Sequence, residues 1–249
     1  MKKYFLIWTI LWALVLMTAC SGELNRSADP VQVVYELNAM LIKYLDSGEA
    51  VLNLTLQKDG QYYTGAEITL DTFTVDILGP WYKRRFDPTL INTEGEYSLN
   101  LSDGSDLDTN LTITLPDSLT AQVTNLADNR VYSGGTVSVS WALSDGADGY
   151  LLFTVPDDSA ITDDGYEAYY LGSTASIPAD AFEYGQSPIE GTNLVYVGAY
   201  IGAPVAMMEL PDNLPTAASP DNNLIAVNLS GRLAGMVLAS PDSVVVPFE

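Results

Sequence analysis

Past the first thirty residues, hydrophobic and polar positions alternate along the chain with a period of two. Val51-Leu52-Asn53-Leu54-Thr55-Leu56, Glu96-Tyr97-Ser98-Leu99-Asn100-Leu101, Leu111–Leu115 and Thr136-Val137-Ser138-Val139-Ser140-Trp141 each place apolar side chains on one face of an extended strand. Ala66–Leu70, Phe73–Leu78, Tyr150–Val155 and Asn193–Ala199 read as further strands. The breaks between them carry turn chemistry: Asp46-Ser47-Gly48-Glu49, Lys58-Asp59-Gly60, Gly79-Pro80, Glu94-Gly95, Asp103-Gly104, Asp145-Gly146 and Asp148-Gly149. Segment 31–46 supports two readings. Asp29-Pro30 can open a helix with Val31, Val34, Leu37, Leu41 and Leu45 on one stripe, or Tyr35, Leu37, Ala39 and Leu41 can form one face of a strand. The strand is preferred because Asp46–Glu49 then turns it directly into Val51–Leu56. Short strands at such intervals, with no βαβ unit, predict an all-β chain of two tandem sandwiches divided at Pro116-Asp117, over 31–116 and 117–249. Residues 211–223 read as a loop. Asn223–Leu229, Val237–Leu238 and Val244–Val246 are expected to pair back onto the second sandwich, in a sheet the pattern does not assign.

The first thirty residues follow a different rule. Met1-Lys2-Lys3 is followed by a nearly unbroken apolar run, Tyr4–Leu16, which ends at Met17-Thr18-Ala19-Cys20. Such a run is too short to cross a bilayer comfortably and reads as a signal peptide over 1–19. Leu16-Met17-Thr18-Ala19-Cys20 resembles the lipobox of bacterial lipoproteins. That resemblance implies acylation of Cys20, the only Cys in the chain, as the first residue of the mature protein, with 20–30 as lipidated residue and tether. Palmitate and related acyl chains would then supply a membrane partner, because several chains hold a protein where one is marginal. Ser21 after the Cys implies the outer membrane, with periplasmic and surface orientations both open.

The second half carries another resemblance. Val137-x-Val139-x-Trp141 looks like the B strand of a fibronectin type III module, Gly149-Tyr150-Leu151-Leu152-Phe153 like its C strand, and Asn193–Ala199 like its F strand. Asn193 departs from the pattern, since the family usually carries its corner Tyr there. The first half resembles, more distantly, a bacterial immunoglobulin-like domain. Neither resemblance implies a function by itself.

Composition narrows the chemistry. The 249 residues hold 10 Lys+Arg, 32 Asp+Glu and no His, a formal charge of -22. Without imidazole, Ser-His-Asp and Cys-His mechanisms and His-ligated metals are excluded. The charge repels phosphate backbones and argues against nucleic acid as a partner. From Phe86 onward the only basic residues are Arg130 and Arg232, a surface that stays soluble by self-repulsion, as in proteins from saline water.

No cofactor beyond the covalent lipid is expected, with calcium as a possibility at Asp103, Asp106, Asp108 and Asn110. Asp106-x-Asp108-x-Asn110 matches the first half of an EF-hand loop, but Leu111 stands where that loop requires Gly, which leaves only a looser site. Trp81-Tyr82-Lys83-Arg84-Arg85 is the candidate binding segment, a cationic loop on an acidic chain whose bland alternative is a packed Trp with cations neutralising nearby acids. Tyr62-Tyr63 with Tyr166, Tyr169 and Tyr170 are candidate sugar platforms, more simply explained by strand packing. Asp157, Asp158, Asp163 and Asp164 form an acidic loop without the close, differently tuned pair that glycoside hydrolysis needs. The expected function is non-catalytic: a membrane-anchored envelope lipoprotein acting as a binding or structural module for protein–protein interaction or adhesion, with a carbohydrate-binding accessory lipoprotein as the alternative.

Overall fold

The computed structural model describes residues 34–131, 135–157, 166–184, 187–188, 190–205, 222–226 and 228–247. The expected signal peptide, Cys20, the tether, most of the 211–223 loop, and Asp158, Asp163 and Asp164 lie outside them.

Alternation becomes strand almost everywhere it was read. The first half holds β1 (Tyr35–Tyr44), β2 (Ala50–Lys58), β3 (Gln61–Tyr62), β4 (Glu67–Leu70), β5 (Phe73–Thr74), β6 (Asp76–Leu78), β7 (Trp81–Phe86), β8 (Glu96–Ser102) and β9 (Asp108–Thr114). The second holds β10 (Ala121–Val123), β11 (Val137–Trp141), β12 (Gly149–Pro156), β13 (Glu167–Tyr170), β14 (Thr174–Ile177), β15 (Glu183–Tyr184) and β16 (Ser187–Pro188). β17 (Gly191–Gly202), β18 (Leu224–Ala226), β19 (Leu229–Leu238) and β20 (Asp242–Val246) complete it. The ambiguous segment 31–46 is strand where it is described. β1 pairs antiparallel with β2 through the expected turn, and the buried Lys43 closes that turn by donating to the carbonyls of Gly48 and Pro88.

One large sheet runs in the order β13-β12-β17-β19-β1-β2-β7-β6, with β18 on β19, β20 on β17 and β3 on β2. Two smaller sheets, β5-β4-β8-β9 and β10-β11-β14, pack on it, and β15-β16 forms a separate two-stranded ribbon. The register places Tyr150, Ala199, Val237, Leu41 and Leu52 on one face of the large sheet. That face meets both small sheets. Tyr82 Oη lies 3.2 Å from the backbone of Ala66, beside β4, and Trp141 of β11 packs at 5.6 Å from Tyr150 of β12. The B-like strand β11 lies between β10 and β14, and the C-like and F-like strands β12 and β17 pair in the opposite layer. Asn193, at the position of the corner Tyr, is buried.

Strand pairing crosses Pro116-Asp117. β1 runs parallel to β19 from Tyr35↔Leu229 to Tyr44↔Leu238, so the large sheet draws on both halves while each half holds its own small sheet. All described strands belong to the unit Val34–Glu249. The C-terminal strands therefore do pair onto the second half, and β19 pairs onto the first as well.

The outer face of the large sheet changes character along its strands. Glu36, Asn38, Thr55 and Gln57 make it polar at one end. Met40, Ile42, Val51, Leu151, Phe153, Tyr200, Ala234, Met236 and Leu238 make a second buried apolar cluster at the other. Tyr44, Val155, Tyr169, Tyr196 and Val205 pack against it. Burial pushes the Tyr169 phenol up to about 12. Strands buried on both faces read as apolar runs rather than alternations, which is why β1 was hard to tell from a helix.

Candidate functional site

Gly79-Pro80 is a two-residue turn that pairs Leu78 with Trp81, so Trp81–Arg85 is strand, not loop. A strand sends neighbours to opposite faces. Tyr82 and Arg84 point toward β4 and β5, and Trp81, Lys83 and Arg85 point away. Tyr82 Oη accepts from Ala66 N–H and has the carbonyls of Tyr63 and Ala66 as the two acceptors within reach of its single proton. The Arg84 guanidinium donates to the Thr74 carbonyl and lies beside the edge-on pair Phe73 and Phe86, 5.2 and 5.6 Å from the ring centres, with Nε buried and without a hydrogen-bond partner. Arg85 pairs with Glu49 across β2 at the surface. The five residues do not share one face, and Tyr82 and Arg84 are tied to packing between sheets. Tyr82→Phe should lower stability by about 1–2 kcal/mol by orphaning the buried Ala66 N–H, measurable by urea unfolding at unchanged m-value.

The four oxygen ligands proposed for calcium are also divided. Asp103 sits at the β8–β9 turn with its side chain 1% exposed. Its Oδ2 accepts from Tyr35 Oη at 2.5 Å, and from Lys58 Nζ and Tyr63 Oη at 3.4 Å. Its Oδ1 accepts from the N–H groups of Ser105 and Leu107. These bonds, the Tyr35 hydroxyl first, hold its carboxyl far below the usual range. Asp106 lies 3.8 Å from the same Lys58 ammonium. A cation therefore does reach this turn, and it is a lysine of the chain. Asp108 and Asn110 stand on β9, on the outer face of the small sheet. Among the described residues no group of three or more acidic, His or Cys side chains is placed to hold a metal ion.

The tyrosines separate as well. Tyr62 is exposed on β3, and Tyr63 packs edge-on against Tyr35. Tyr166 and Tyr170 share a 2.7 Å hydrogen bond beside Trp141, while Tyr169 joins the outer apolar cluster.

What the structure does assemble is a polar face. β4, β8 and β9 bury Ile68, Leu70, Leu99, Leu101 and Ile113 toward the large sheet and turn their alternate residues outward. Register aligns these in rows: Glu67, Ser102 and Asp108, then Thr69, Asn100 and Asn110, then Ser98 and Thr112. Asn110 Nδ2 donates to Asn100 Oδ1 at 2.6 Å and to Ser98 Oγ at 2.8 Å, and Asn100 Nδ2 donates to Thr69 Oγ1 at 3.3 Å. An open recess of about 390 Å³ lies over the first two rows. Sequence reading singled out Asp108 and Asn110 as calcium ligands and missed Thr69 and Asn100. The available signal was the run of polar alternates on both sides of Asp103-Gly104, which a hairpin brings into one surface.

No protein-family model matches the sequence, and no curated protein matches it. Among solved structures it is similar to the fibronectin(III)-like modules of Clostridium thermocellum CbhA, at 12% identity, 85% of this chain, 94% of that chain and a TM-score of 0.28. It is also similar to the FN1-FN3 domains of chicken CNTN1, at 10% identity, 85% and 64% coverage and a TM-score of 0.25. Yersinia pseudotuberculosis adhesin InvE is a third, at 15% identity, 66% and 55% coverage and a TM-score of 0.22. At these scores the fold rests on the strand pairing itself. That pairing defines an all-β protein with sheets packed as sandwiches, an architecture shared by immunoglobulin-like and fibronectin type III-like domains.

Proposed function

We propose that this chain is a lipid-anchored module of the bacterial outer membrane, carried on Cys20, that binds rather than catalyses. The observation that carries the reading is the position of the only Cys, directly after a short apolar run and a small residue, and followed from Tyr35 by a body whose regular structure is nearly all strand. Acyl chains at Cys20, each contributing about 0.8 kcal/mol per buried CH₂, would hold that body at the membrane. Its exposed edges and sheet faces are then the surfaces offered to a partner. Growth with a clickable palmitate analogue should label the wild-type protein and leave it in the membrane fraction. Cys20→Ala should remove the label. A wild-type chain that stays unlabelled and is released into the medium sinks the anchoring. Of the two ligand classes expected, protein and polysaccharide, the polar face of β4, β8 and β9 favours the second.

A further inference from the structure

We propose that the outer face of β4, β8 and β9 is a binding site for a neutral, hydroxyl-rich polysaccharide, gripped by the cross-strand rows Glu67/Ser102/Asp108 and Thr69/Asn100/Asn110. The inference rests on the reading of the chain as a binding module and names the ligand class and the site. Four observations converge on it.

Asn is disfavoured inside strands, yet Asn100 and Asn110 stand directly opposite one another in mid-strand, where Thr or Val would serve the sheet better. Their amides are fixed by hydrogen bonds to each other and to Thr69 and Ser98: Asn110 spends both amide N–H groups on Asn100 and Ser98 and keeps only acceptor capacity on Oδ1, whereas Asn100 keeps one N–H and one lone pair, so the groups left for a ligand are already oriented, which lowers the ordering cost of binding. The outward residues of these rows are all Glu, Asp, Asn, Ser or Thr. No apolar side chain among them invites a hydrophobic segment, and no Lys or Arg invites a phosphate or uronate. Finally, the recess of about 390 Å³ is open, as an extended polymer requires, and two carboxylates flank it in one row, Glu67 and Asp108, able to accept from vicinal hydroxyls. The chain's net charge of -22 also opposes an acidic polymer.

The test is affinity electrophoresis of the detergent-solubilised full chain through gels holding dextran, xylan or laminarin, with alginate as the charged comparison. At least one neutral polymer should retard the protein, and alginate should not. Asn100→Thr with Asn110→Thr raises strand propensity, so that pair should fold with an unchanged or higher melting temperature yet bind at least tenfold more weakly. Thr69→Val, a second strand-compatible change, should weaken binding in the same direction. The proposal is overturned if no neutral polymer retards the wild type, if alginate retards it equally, or if the Asn pair binds as the wild type does. Capture of an envelope protein that is lost in the Asn pair, without retardation by any polymer, would assign the face to a protein and overturn it too. None of these outcomes depends on acylation, so failure here and failure of the anchoring are separate results.

Discussion

Gly231→Ala is expected to cost about 3–5 kcal/mol and to lower the melting temperature by roughly 10 °C, the sum of backbone strain and overpacking at one position. Gly231 adopts φ +129°, a conformation L side chains rarely take. A Cβ there would also overlap the Leu37 carbonyl oxygen, which is backbone and cannot swing aside. Leu37 is the register partner of Gly231 in the parallel β1–β19 pair, so relief requires the strands to part where the two halves of the chain join. Four residues on, a Cβ at Gly235 would meet the backbone of Thr114, at the end of β9. The C-terminal strand is thus pressed from two sides by the first half. Gly172→Ala, where a Cβ meets nothing within 4 Å, is the control and should stay within about 0.5 kcal/mol. Thermal unfolding followed by circular dichroism decides it. A Gly231→Ala melting point within 2 °C of wild type would show that the β1–β19 pair does not hold the halves together. Against a typical total of roughly 5–15 kcal/mol, the expected loss is large enough to read as lower yield as well.

That joint is also what sequence reading could not reach. β2, β8, β9, β11, β12 and β17 were legible because period two and Asp-Gly or Gly-Pro turns are local signals. The pairing of β1 with β19 joins residues at opposite ends of the chain and leaves no turn between them, so Pro116-Asp117 read as a clean boundary although the hydrogen bonds cross it. β7 was hidden for another reason. Three consecutive cations suggest a solvated loop, but Arg84 occupies an inward position with its guanidinium against Phe73 and Phe86, a contact that needs the fold to exist. The polar face was half visible. Asp108 and Asn110 stood out for spacing reminiscent of calcium ligands, whereas their real neighbours, Ser102 and Asn100, are across the hairpin rather than along the chain. Local period predicts elements well, but which faces meet depends on pairing, and the candidate sites here are set by pairing.

Asp103→Asn should lower the melting temperature by about 5–10 °C at pH 7 and flatten the acid limb of stability, because the carboxylate is the acceptor around which the β8–β9 turn and β1 are fastened. Its oxygens take the Tyr35 hydroxyl, the Lys58 ammonium and the N–H groups of Ser105 and Leu107, with the side chain almost wholly enclosed. A carboxyl held below its unfolded value contributes stability that is present above about pH 4 and is lost as pH falls from there toward the depressed native value. Wild-type protein should therefore lose melting temperature steeply below about pH 4, and the amide variant, already weakened at pH 7, should lose less over the same interval. At the alkaline end the sign reverses. Lys58 is held above its ordinary value, first by its hydrogen bond with Tyr35 and then by Asp103, so its contribution is complete below about pH 10 and fades above that. Tyr35 is raised chiefly by burial and adds a loss in the same direction, because the unfolded phenol ionises while the native one stays protonated. Added Ca²⁺ provides the contrast. If Lys58 is the resident cation of this turn, millimolar calcium should leave the melting temperature of wild type unchanged, whereas a rise that disappears in Asp103→Asn would return the turn to metal binding.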